Sequence, residues 1–118
     1  MTQPEVIDRA ALNDLLATTG NDSTFLVELI DSYLEDAVEQ LAAMWRAVND
    51  ADAERLRRAA HSLKSTSASL GARKLAGLCQ QVEQHAREGT LGLGAESVAS
   101  LEAAFVEVDR ELRLLRPA

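Results

Sequence analysis

The sequence predicts an all-α protein, an antiparallel up-down-up-down four-helix bundle with an additional short N-terminal helix. Three observations point there. Alanine and leucine supply 20 and 18 of the 118 residues, against four aromatics, Phe25, Tyr33, Trp45 and Phe105, and both are strong helix formers. The two prolines, Pro4 and Pro117, lie at the ends, so nothing between them interrupts a long helix. Apolar residues recur at spacings of three and four, which puts them on one helix face, and no strand-like alternation or internal repeat competes with that period. A chain of this length is one domain in size, and residues 1–118 are expected to form a single bundle.

The elements follow in order. Residues 5–18 carry Val6, Ile7, Leu12, Leu15 and Leu16 and read as a short amphipathic helix ending toward Gly20. From residue 22 a long stripe begins: Phe25, Leu26, Leu29, Ile30, Tyr33, Leu34, Ala37, Val38, Leu41, Met44, Trp45 and Val48, with Glu28, Asp31, Asp36 and Glu39 opposite. Asn21, Asp22 or Ser23 can cap its start by accepting from free backbone N–H groups. Asn49 or Asp50 interrupts it and can cap the next helix, whose inward face is Leu56, Ala59, Ala60, Leu63, Ser67 and Leu70, stopping near Gly71. Leu75, Leu78, Cys79, Val82 and Ala86 define a further helix ending at Gly89. Residues 89–94, with three glycines in six positions, read as the one obvious loop. The last helix starts at about Ala95, buries Val98, Leu101, Phe105, Val108, Leu112 and Leu115, and ends at Pro117. Short connections favour antiparallel neighbours.

Charge excludes several functions and locates another. The net charge of -7 argues against nucleic acid as a partner, since phosphate-backbone affinity comes from clustered cations. Residues 1–54 hold 12 acids and 2 bases, whereas residues 55–74 hold Arg55, Arg57, Arg58, Lys64, Arg73 and Lys74 with no acid. No apolar run is long enough for a membrane span, the start lacks a secretory signal, and a single cysteine excludes an internal disulfide framework. A cytoplasmic protein is expected. Phosphate-binding loops are missing: the glycines at 89, 92 and 94 have neither the lysine nor the preceding strand such a loop needs.

His61 stands within the acid-free basic stretch. Positions three and four apart share a helix face, so it lies near Arg57, Arg58, Lys64 and Ser65, with Ala68 one turn on. The inward stripe is offset, which aims His61 at water or at the edge of an interhelical groove. A neutral imidazole nitrogen in that setting can attack phosphorus, and the cations around it can neutralise phosphoryl oxygens. Ser65 and Ala68 leave room for a partner to approach. By itself this pattern also fits a solvated basic surface.

The local string is more specific. Residues 59–71, AAHSLKSTSASLG, followed by ARKLAGLCQQVE at 72–83, resemble the signature of histidine-containing phosphotransfer (HPt) domains: an Ala-His pair, a lysine three residues on, small residues, Leu-Gly, then a helix reading L-x-x-L-C/A-x-x-x-E/Q. The resemblance implies that His61 is the phosphoacceptor, taking a phosphoryl group from a receiver-domain aspartate and passing it to another receiver. It implies that Lys64 stabilises phosphoryl charge, that Gly71 closes the histidine helix, and that Glu83 falls where a Glu or Gln can hold the far ring nitrogen. Arg57, Arg58, Ser65, Ala68 and Gly71 are then expected on the binding face. Ser65 departs from the family, which usually has glycine there; its hydroxyl could donate to a phosphoryl oxygen.

The resemblance further implies a monomeric phosphoryl carrier, not a kinase, with no cofactor of its own and with Mg2+ on the partner receiver. The partners are receiver domains of response regulators or of a hybrid histidine kinase. A rival is a helical adaptor that binds a response regulator through the same face without being phosphorylated. A sensor-kinase dimerisation domain fits less well, for it would have an acid after the histidine and a proline soon after, where this chain has Ser62 and no proline. His85 reads as a surface residue near a helix end, and two histidines without a carboxylate cluster make no metal site. Cys79, Trp45 and Phe25 read as core. Leu12, Leu15 and Leu16, with the Phe25–Leu26 turn, are either core or an apolar patch for a receiver helix. Ser62, Ser65, Thr66, Ser67 and Ser69 lack a paired Asp and His, so no hydrolase triad is expected.

Overall fold

The computed structural model describes residues 6–20 and 22–116. Five helices account for nearly all of them: α1 (Arg9–Ala17), α2 (Ser23–Asn49), α3 (Ala53–Ser69), α4 (Arg73–Glu88) and α5 (Leu91–Leu115), and no strand occurs among the described residues. The chain packs α2 on α3, α3 on α4, α4 on α5 and α5 back on α2, with α1 laid against α3. The α3/α4 seam therefore lies across the bundle from the α2/α5 seam.

Helix starts follow from aspartates. Asp8 Oδ1 accepts from the N–H groups of Ala10 and Ala11, at 3.0 and 3.3 Å, so α1 begins after it. The apolar stripe suggests a start at residue 5, which lies outside the described residues; Ile7 is buried ahead of the cap without being helical. Of the three cap candidates for α2, Asp22 is the one used, accepting from the Thr24 N–H at 2.9 Å; Asn21 is outside the described residues. The cap of α3 is neither Asn49 nor Asp50 but Asp52, which accepts from the Arg55 N–H at 3.1 Å. Helix α2 runs through Asn49 and is stopped by Ala51 in a left-handed conformation at φ +52°, after which the Asp52 N–H returns to the Ala47 carbonyl at 2.8 Å.

The expected loop at 89–94 contracts to Gly89 and Thr90. Gly89, at φ +75°, supplies the left-handed cap of α4, and the Thr90 N–H closes on the His85 carbonyl at 3.0 Å. Gly92 and Gly94 are helical, and α5 starts at Leu91, not at Ala95. Gly94 is small because helices meet there: a Cβ would stand 3.3 Å from Leu56 Cδ2 and 3.7 Å from His85 Cβ. At the far end α5 stops at Leu115, and Arg116 forks onto both oxygens of Asp31 in α2 at 2.9 and 3.0 Å. Pro117, expected to end the helix, lies outside the described residues.

The core is the predicted one with few exceptions. Ile30, Met44, Leu56, Leu63, Leu75, Leu101 and Leu112 are fully buried, and all six inward positions of α3 are covered. Val38, placed on the α2 stripe by its period, is instead 58 % exposed. Phe25 and Trp45 are only half-buried, and the Trp45 indole N–H donates to Glu102 at 2.9 Å on the surface.

Candidate functional site

Helices α3 and α4 converge on one carboxylate. Glu83, from the inward face of α4, is 1 % exposed. Its Oε2 lies 3.0 Å from His61 Nδ1 and 3.0 Å from an Arg87 guanidinium nitrogen, and its Oε1 lies 2.6 Å from Lys64 Nζ. Burial pushes the Glu83 carboxyl up, but hydrogen bonds from Lys64 and His61, with the charges of Lys64 and Arg87, outweigh it and hold the acid below its usual 4.5. An ionised carboxylate only accepts, so His61 Nδ1 carries the proton and donates. The lone pair is then on Nε2, and the side chain is 56 % exposed. This arrangement can present a neutral nucleophile to an electrophile arriving from outside the bundle.

Lys64 corrects an expectation. Its place on the histidine face suggests an exposed side chain clear of packing; it is 29 % exposed and its ammonium is turned onto buried Glu83. The i,i+4 spacing of Glu83 and Arg87 on α4 is legible in the sequence, yet nothing there singles out Arg87 by itself. A carboxylate already assigned to the histidine is the signal that could have found it.

The arginines of the basic stretch are less free than its lack of acids suggests. Arg57 forks onto Glu54 at 2.6 and 3.0 Å, Arg58 approaches the same acid at 3.6 Å, Arg55 reaches Asp50 at 3.8 Å, and Arg73 pairs with Asp8 at 2.9 Å. Glu54 sits one residue before the stretch, on the preceding part of the same helix. The expected phosphoryl-facing role of Arg57 and Arg58 thus competes with Glu54.

Ser65 and Ala68 are exposed beside His61 and line a shallow depression of about 500 Å3 that continues to Ala76 and Gly77 of α4. The Ser65 hydroxyl donates to the His61 carbonyl at 3.2 Å, one turn back along the helix, so here it points into α3's own backbone. Gly71 does not belong to the exposed face. It is buried at φ +87°, its carbonyl accepts from the Asp8 N–H at 2.8 Å, and a Cβ would meet the Asp8 carbonyl oxygen at 2.6 Å. It joins α1 to α3.

The remaining candidates fall into place around this centre. Leu12 is buried, while Leu15 joins Leu29, Tyr33 and Leu70 in an apolar groove of about 310 Å3 between α1, α2 and α3. His85 is half-buried, and its Nδ1 lies 3.0 Å from the Thr90 hydroxyl, making it a joint of the α4–α5 turn. Cys79 is fully buried, and that burial pushes its thiol up to about 12, as befits a packing residue. No cluster of metal-ligating side chains occurs among the described residues, and none of their helices is long and apolar enough to cross a membrane.

A family model described as the Hpt domain matches residues 28–116. The chain belongs to the Hpt domain family. Histidine phosphotransfer within a phosphorelay is what such domains do. Among solved structures, this Hpt chain resembles histidine-containing phosphotransfer protein B of Pseudomonas aeruginosa, at 30 % identity and a TM-score of 0.88, covering 97 % of this chain and 96 % of that one. Among curated proteins it resembles Multistep phosphorelay regulator 1 of Schizosaccharomyces pombe, 27 % identical over 100 residues, which is 80 % of this chain and 34 % of that protein. It also resembles Phosphorelay intermediate protein YPD1 of Saccharomyces cerevisiae, 28 % identical over 85 residues, 71 % of this chain and 51 % of that one. The match thus spans about a third and about half of these two relatives.

Proposed function

We propose that the protein is a phosphoryl carrier of a two-component phosphorelay, with His61 as the acceptor. The observation that carries this is the grip of buried Glu83 on His61 Nδ1, which leaves Nε2 as the free, outward nitrogen. In the reaction, the Nε2 lone pair attacks the phosphorus of a receiver's aspartyl phosphate. The N–P bond forms, the bond to the aspartate oxygen breaks, and the aspartate leaves as a carboxylate. The ring becomes positively charged with its proton still on Nδ1, and Glu83 stabilises that charge. Lys64 and Arg87, both anchored on Glu83, are the cations next to the transferred group. Reversal toward a second receiver uses the same contacts.

The chain is in this reading a carrier and not a kinase: it binds no nucleotide and has no cofactor, and magnesium belongs to the receiver's acidic pocket. Residues 1–118 act as one monomeric cytoplasmic domain whose partners are receivers of response regulators or of a hybrid histidine kinase, without nucleic acid. The receiver is seated over Ser65 and Ala68. Incubation with one phosphorylated receiver and a second, unphosphorylated one tests the relay. Wild-type protein should move label from the first to the second, and His61→Gln should not. Binding of both receivers with no label on the carrier would favour the adaptor instead.

A further inference from the structure

Among the described residues, one side-chain hydrogen bond is fully buried, and the site does not use it: Tyr33 Oη of α2 lies 2.7 Å from Ser67 Oγ of α3. Ser67 is 0 % exposed. It occupies a peculiar stretch of the histidine helix. The large apolar anchor Leu63 has no successor until Leu70, and residues 64–69 read Lys-Ser-Thr-Ser-Ala-Ser, of which only Ser67 is buried. Small side chains grip a neighbouring helix weakly and with little directionality, whereas a hydrogen bond between two hydroxyls specifies both distance and angle.

We infer that the Tyr33–Ser67 bond sets the rotation of α3 about its axis and thereby aims His61, making Tyr33 and Ser67 positioning residues for phosphotransfer. The inference rests on the carrier reading above. Ser67 lies six residues beyond His61, about 9 Å along the axis. Helix α3 is held from α4 by Glu83, through His61 and Lys64, and from α2 by Tyr33. The first grip ties down the tips of the side chains; the second ties down the helix that carries them. An atom about 6–7 Å from a helix axis moves about 1 Å when the helix turns by about 10°. Misplacement of a reacting atom by about 1 Å can cost up to about 100-fold in rate.

The test uses Tyr33→Phe, Ser67→Ala and the double variant in the full chain. Single-turnover transfer from a phosphorylated receiver is measured over a range of receiver concentrations, and the His61 ring nitrogens are followed by NMR in the free protein. Each single variant is expected to lower the maximal rate about three- to tenfold with the half-saturating receiver concentration unchanged. The double variant should be no slower than the slower single one, because both remove one bond. The ring nitrogen resonances should move in Tyr33→Phe. Wild-type rates with unmoved resonances would overturn the inference, as would losses that multiply in the double variant. A change confined to half-saturation would overturn it as well, by making Tyr33 a receiver contact in the groove it lines. Should Ser67→Ala not fold, Tyr33→Phe decides alone. If the wild-type protein takes no phosphoryl group, the carrier reading fails, and the ring resonances still decide whether the bond aims His61.

Discussion

Lys64 Nζ lies 2.6 Å from an oxygen of Glu83, so the lysine of the histidine helix is tied inward to a buried acid. Lys64 therefore has a structural role besides the one proposed for it at the transferred group. Removing it leaves Glu83 buried with His61 and Arg87 as remaining partners. We predict that Lys64→Ala slows transfer and also lowers unfolding free energy by about 1–2 kcal/mol, the scale for a buried acceptor that loses one of several charged donors. Denaturant midpoints measure this, and an unchanged midpoint would contradict the inward pairing.

Glu83 gives stability a defined pH dependence. Its folded carboxyl titrates below 4.5, the ordinary value it has when unfolded. Between those two values the unfolded chain binds the extra proton, so stability from Glu83 is complete above about 4.5 and falls as pH drops through the folded value. Chemical denaturation from pH 7 to pH 3 should show the wild type more stable than Glu83→Gln, with the gap closing at the acid end. A gap that stays constant would place the carboxylate's contribution elsewhere.

Gly71 is predicted to tolerate no side chain. Alanine there must adopt φ near +87° and bring its Cβ within 2.6 Å of the Asp8 carbonyl oxygen. The left-handed conformation alone costs about 1–2 kcal/mol, and relieving the contact requires the start of α1 to leave α3. Gly71→Ala should lower the unfolding midpoint and speed proteolysis near Asp8, while α4 and α5 keep their hydrogen-exchange protection.

Gly77 should behave in the opposite way. It lies in the middle of α4, and a methyl group there would have nothing within 4 Å, so Gly77→Ala is expected to stabilise the protein by about 0.5–1 kcal/mol. The same methyl narrows the depression beside Ser65 and Ala68, and the half-saturating receiver concentration should rise. Thermal unfolding and transfer kinetics on one sample separate the two effects.

Much of the fold and site is legible in the sequence because the signals are local. The three-and-four period identifies α2 to α5 and the inward face of α3, and the likeness of the stretch from His61 through Lys64 to Glu83 to the HPt signature points to three side chains that the fold brings together in the candidate site. Glycine is ambiguous because one letter serves two purposes: Gly89 is a left-handed cap, whereas Gly94 lets α5 approach Leu56. Val38 keeps the period of α2 yet faces solvent, at the edge of the stripe, where it lines a surface depression with Phe105 and Arg113 of α5. Pairing across distance is invisible as well. Arg73 looks free until Asp8, far away along the chain, comes within 2.9 Å of it. Arg57 looks free because Glu54 falls one residue outside the acid-free stretch.

The mechanism turns on which nitrogen of His61 reacts. Protein labelled with 15N in its histidine rings, phosphorylated by a receiver and observed by 15N and 31P NMR under alkaline conditions, reports the bonded nitrogen directly. With Nδ1 held by Glu83 at 3.0 Å, phosphorus should be coupled to Nε2 of His61 alone. Phosphorus on Nδ1, or a phosphoryl group on any other residue, would contradict the mechanism.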